Sequence, residues 1–158
     1  MGVQSGPNLK KISGQHFLLQ SPLINMITSD ILLIEDVSSD AKLISIALNS
    51  TFHDLNLRIS RNGESGINEL YKKRPDLLFL DLNIPKKSGI EVIKDVRSSI
   101  VLRTLPIIVI TNSTYQYDVD SAYGAGCNAY IRKPVGFDKL IELMKIIHEF
   151  WFNLVTIP

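Results

Sequence analysis

From residue 30 onward the chain alternates between two kinds of segment. Ile31-Leu32-Leu33-Ile34 and Leu77-Leu78-Phe79-Leu80 are uninterrupted apolar runs, and Pro106-Ile107-Ile108-Val109-Ile110 is a third. Such runs predict strands buried on both faces. Residues 56–60 predict a short, weaker strand and residues 128–132 a fifth. Between these runs, apolar residues recur at steps of three and four: Leu43, Ile44, Ala47 and Leu48; Ile67, Leu70 and Tyr71; Ile90, Val92, Ile93 and Val96; Phe137, Leu140, Ile141, Met144 and Ile147. That spacing predicts amphipathic helices. A more polar helix is expected over residues 114–123. Ser38 or Ser39 should cap the first helix, and Pro75 should stop the second.

Five strands alternating with five helices predict an α/β protein, a parallel sheet covered on both sides with right-handed crossovers. The simplest doubly wound arrangement of five such units is the flavodoxin-like strand order 2-1-3-4-5. That order comes from the general form of these sheets rather than from the residues. Residues 1–29 show no sustained period and are expected to form an N-terminal extension. Residues 30–152 form the domain and residues 153–158 a C-terminal tail.

Composition narrows the function. The 158 residues are 45% hydrophobic and 21% charged, with a formal net charge of +1. No strong field draws such a chain to nucleic acid or to an anionic membrane. Its apolar runs fall far short of the roughly 20 residues that span a bilayer. The lone cysteine, Cys127, suits a reducing cytosol, so a cytoplasmic location is expected. His16, His53 and His148 lack metal-ligand spacing.

Polar residues mark the strand ends. Glu35 and Asp36 follow the first strand, Asp81 the third, Thr111 the fourth and Lys133 the fifth. Singly, each reads as a turn residue, a cap or a solvated side chain. In a parallel sheet all of these ends share one edge, where open α/β folds bind ligands. Three carboxylates gathered there repel one another unless a cation sits among them, and hard oxygen donors with open positions suit Mg²⁺. Lys133 adds a positive charge and Thr111 a hydroxyl. Such a site would hold a phosphoryl group against a nucleophilic oxygen. Asp81, between the acid pair and the Thr–Lys side, is the expected nucleophile.

These residues, in the runs Ile34-Glu35-Asp36, Arg74-Pro75-Asp76, Leu80-Asp81-Leu82-Asn83-Ile84-Pro85, Gly89, Ile110-Thr111 and Ala129-Tyr130-Ile131-Arg132-Lys133-Pro134, resemble the receiver domain of two-component response regulators over about residues 30–150. The resemblance implies phosphorylation of Asp81 by the phosphohistidine of a sensor histidine kinase. It implies Mg²⁺ held by Glu35, Asp36, Asp81 and the backbone carbonyl of Asn83; because neighbouring residues in a strand point oppositely, Asp36 is expected as the direct ligand and Glu35 through water. Lys133 would pair with the phosphoryl group, and its bond to Pro134 would be cis. Thr111 and Tyr130 would be the switch residues; without the motif, Tyr130 reads as a half-buried sheet aromatic. Asn112 departs from the small residue usual after the switch threonine.

Residues 135–158 leave room for one helix and a short tail, so a stand-alone regulator acting on a downstream protein is expected. Of Phe150, Trp151 and Phe152, two should serve the core. The tail also resembles single-domain regulators of phytochrome-type kinases, relatives that can dimerise through the face of helix 4, strand 5 and helix 5. Two alternatives stand beside this reading: a haloacid-dehalogenase-like phosphatase, for which Asp81-Leu82-Asn83 would be the Asp-x-Asp motif, and a degenerate receiver that binds partners without phosphate. Met26 is expected as an alternative start. The intact mass of the native protein should then match a chain beginning at Met26, and a mass matching Met1 would refute it.

Overall fold

A computed structural model describes residues 28–158. The expected extension over residues 1–29 and the Met26 start fall largely or wholly outside the described residues. In chain order come β1 (Ser29–Ile34), α1 (Ser38–Thr51), β2 (Leu55–Ser60), α2 (Gly63–Lys72), β3 (Leu77–Leu80), α3 (Gly89–Ser98), β4 (Ile107–Thr111), α4 (Gln116–Ala125), β5 (Ala129–Arg132) and α5 (Phe137–His148). A π-helical turn, Glu149–Leu154, extends α5. The strands pair in parallel as β2-β1-β3-β4-β5, the expected order.

Each central strand sends alternate residues to opposite faces, as a period of two requires. Leu32, Ile34, Leu78, Leu80, Ile107 and Val109 join one cluster with residues of α2, α3 and α4. Ile31, Leu33, Leu77, Phe79, Ile108 and Ile110 join a second with residues of α1 and α5. Two-sided burial explains why these strands are spelled as solid apolar runs. Trp151 and Phe152 pack against the second cluster, where Phe152 meets Phe52 edge-on at 5.2 Å, while Phe150 is exposed. The expected boundary at residue 152 falls inside the π-helical turn.

Local chemistry sets the helix starts. Asn62 Oδ1 accepts from Ser65 N at 2.9 Å to begin α2, and Ser88 with Glu91 forms a reciprocal capping box on α3. The first helix departs from expectation: its cap is Val37, not Ser38 or Ser39, and no side chain caps it. The Val37 N–H is taken instead by Glu35 Oε1 at 3.0 Å, so a site residue organises the turn. Gly89 brings α3 close under Asp81, because a Cβ there would lie 2.5 Å from the Asp81 carbonyl oxygen.

Arg97, at the end of α3, fastens the loops flanking β4 and β5. Its guanidinium donates to the carbonyls of Gly126 (2.7 Å), Arg103 (3.0 Å) and Leu105 (2.8 Å), and to Asn128 Oδ1 (2.9 Å). Asn128 Oδ1 also accepts from Ile107 N at 2.8 Å, tying the start of β4 to the turn before β5. A lysine cannot supply this planar fork. Arg97→Lys should therefore lower stability by about 2 kcal/mol in urea denaturation with an unchanged m-value.

Candidate functional site

Backbone pairing continues past the ends of the strands and places the polar residues side by side. Ile34 is level with Leu80, and Asp81 N donates to Ile34 O at 3.0 Å. Thr111 is level with Arg132, and Lys133 N donates to Thr111 O at 2.8 Å. Glu35, Asp81 and Lys133, each the next residue beyond its strand, therefore meet on one edge.

The side chains converge as the sequence predicts. Glu35, Asp36 and Asp81 each offer a carboxylate oxygen, and these oxygens lie within 4.8 Å of one another. Lys133 Nζ donates to Asp81 Oδ2 at 3.0 Å, Glu35 Oε2 at 2.7 Å and Asp40 Oδ2 at 2.7 Å. Glu35 is fully buried and Asp81 nearly so, while Asp36 is exposed. The strand ends at Ile34, so strict alternation no longer governs the acid pair and both side chains can turn to the same site. Asn83 N donates to Asp81 Oδ1 at 3.1 Å, which holds the carboxylate against the loop.

Burial disfavours charge on Glu35 and pushes its pKa up, against the opposing bonds from Lys133 and Val37 N. Burial also disfavours charge on Lys133. The bonds to Asp40, Glu35 and Asp81 outweigh it and hold the ammonium above its ordinary pKa. Lys133 is therefore a fixed cation, not a base. The clustered carboxylate oxygens are hard donors that fit an oxygen-loving divalent cation.

Thr111 is buried one strand away from Asp81. Its Oγ1 accepts from Ser113 N at 3.3 Å. Tyr130 is half-buried and its hydroxyl donates to Ser113 O at 3.3 Å; burial raises its pKa, against the bond to Ser113. Ser113 Oγ in turn donates to Asp118 in α4. Thr111, Tyr130 and α4 thus meet at Ser113, a residue the sequence reading passed over. Asn112 is exposed and lines a cavity of about 120 Å³ with Asp40, Leu43, Ile44, Lys133, Pro134 and Leu140.

Two differences from expectation stand out. No peptide bond is cis among the described residues, so Lys133–Pro134 is trans, the isomer that X–Pro bonds generally prefer. Asp40 is the site contact that sequence reasoning missed. Its signal was an acid in the first turn of α1, a position ordinarily explained by the helix dipole.

Comparison with known proteins agrees with this geometry. Response regulator Rcp1 of Synechocystis sp. is 33% identical over 135 residues, covering 81% of this chain and 92% of its own length. A probable methanogenesis regulatory protein, FilR2 of Methanothrix harundinacea, is 32% identical over 129 residues, covering 78% and 83%. Among solved structures, the Mn²⁺-bound form of Rcp1 superposes with a TM-score of 0.75 at 33% identity over 82% of this chain and 99% of its own. The phosphorylated cyanobacterial phytochrome response regulator RcpA does so with a TM-score of 0.78 at 33% identity over 83% and 99%. The response regulator receiver domain profile matches residues 31–145, which displaces the haloacid-dehalogenase reading. With its carboxylates, lysine and strand order arranged as above, the chain belongs to the response regulator receiver domain family.

Proposed function

We propose that the protein is a phosphorylation-dependent signalling module in which Asp81 accepts a phosphoryl group from the phosphohistidine of a sensor histidine kinase. The observation that carries this is the position of Asp81: its carboxylate lies among Glu35, Asp36 and the Lys133 ammonium. An Asp81 oxygen forms the new bond to phosphorus as the phosphorus–nitrogen bond breaks, and the released imidazole takes up a proton. Lys133 supplies positive charge to the transferring oxygens and orients them. Glu35, Asp36 and Asp81, with the Asn83 carbonyl, would hold Mg²⁺, which when bound neutralises carboxylate repulsion and polarises the phosphoryl oxygens. That the relative Rcp1 has been solved in a Mn²⁺-bound form supports binding of a divalent ion by this chain.

The signal would pass through Thr111 and Tyr130. The Thr111 hydroxyl reorients toward a phosphoryl oxygen, loosening the Ser113 turn to which Tyr130 is bonded. The face of α4, β5 and α5 then changes, and differential contacts of a few kcal/mol suffice to invert a two-state population. Tyr115, Tyr117 and Tyr123 are exposed at or on α4, and such aromatics suit a downstream protein or a second copy of the chain. The buried, unpaired thiol of Cys127 fits a cytoplasmic setting.

Incubation with Mg²⁺ and acetyl phosphate should place an acid-stable, base-labile phosphate on Asp81, lost in Asp81→Asn and discharged slowly by the protein itself. Absence of label in the wild type would favour a receiver that works without phosphate. Lys133→Met should destabilise the Mg²⁺-free protein by about 3 kcal/mol in chemical denaturation, because buried carboxylates lose their counter-charge. Saturating Mg²⁺ should restore part of that loss.

A further inference from the structure

The proposed chemistry assigns no role to Asp40, although its carboxylate reaches the same ammonium. Asp40 Oδ2 lies 2.7 Å from Lys133 Nζ, as close as Glu35 Oε2 and closer than Asp81 Oδ2 at 3.0 Å. An ammonium has three hydrogens, and these carboxylates engage all three. A phosphoryl oxygen on Asp81 therefore gains a bond from Lys133 only if one carboxylate gives way. Glu35 and Asp81 belong to the cluster fitted to a divalent cation, and a cation there draws their charge away from the lysine. Two hydrogens of the ammonium are then free for a phosphoryl group, while Asp40, outside that cluster, keeps the third and with it pulls the ammonium toward α1.

Resting on the Asp81 reading, we infer that Asp40 is a positioning residue that holds Lys133 back from the phosphoryl group and so weakens the site's grip on it. Asp40 sits in the first turn of α1, built on a different element from the strand ends that carry the reacting groups. Its side chain is 25% exposed, against 10% for Lys133, so it can release the ammonium to water without leaving a carboxylate stranded in the core. The functional consequence is selectivity between sources of phosphate. A covalent donor that delivers the group to Asp81 overcomes the competition, whereas free inorganic phosphate at ordinary concentrations does not linger and mimic the signal.

The test is calorimetric titration of the full chain with beryllofluoride, a phosphoryl mimic, in the presence of Mg²⁺. Asp40→Asn and Asp40→Ala should each bind about five-fold more tightly than wild type, as expected for removing one partly exposed charge pairing. That gain should vanish when Lys133→Met is combined with either change. An acid serving only the helix dipole would give unchanged or weaker binding, and that result overturns the proposal. A gain that survives Lys133→Met would mean simple repulsion and overturns it equally. Asp81→Asn should abolish binding in every background. Wild-type protein that binds no beryllofluoride would instead sink the Asp81 reading, and the role of Asp40 with it.

Discussion

One ammonium group, at the end of the last strand, joins three carboxylates that come from separate parts of the chain: Glu35 beyond β1, Asp40 in α1 and Asp81 beyond β3. Without that charge the edge of the sheet would concentrate negative groups in a poorly solvated place, where like charges are costly. With it, the acids can be buried yet ready for another cation. The contact depends on parallel strands in register, since only then do residues 46 and 98 positions apart along the chain reach a common point. The apolar clusters on the two faces supply that register; the polar edge uses it.

The fold was legible because burial on both faces leaves little freedom in composition. Ile31–Ile34 of β1 and the whole of β3 could be written only as apolar runs, and the helices with a broad buried face only as amphipathic ones. The weaker elements were legible to within a residue or two, because β2 is half-buried and α4 buries only Ala122. Helix starts were less legible where a tertiary contact replaced a local cap. Val37 begins α1 because its N–H is taken by a buried glutamate, which no propensity at Ser38 or Ser39 could reveal.

At the site, strand-end placement brought Glu35, Asp36, Asp81 and Lys133 together as read from the chain. The division of labour within the acid pair was less visible. Alternation favoured one of the two, Asp36, as the direct ligand, yet both carboxylates reach the cluster, because the strand geometry that enforces alternation stops at Ile34. Asp40 stayed hidden for a related reason. A first-turn acid has a sufficient local explanation, and only the three-dimensional path of Lys133 supplies the second.

The edge of the sheet at β5 carries a further consequence. The Tyr130 N–H is engaged by the Tyr123 hydroxyl at 3.1 Å, so a side chain from the neighbouring helix covers a donor that a border strand would otherwise present. Strand-to-strand joining between copies is thereby blunted at this border, as is amyloid-like stacking. The exposed tyrosines at and on α4 thus stand beside a border strand whose backbone is in part already engaged.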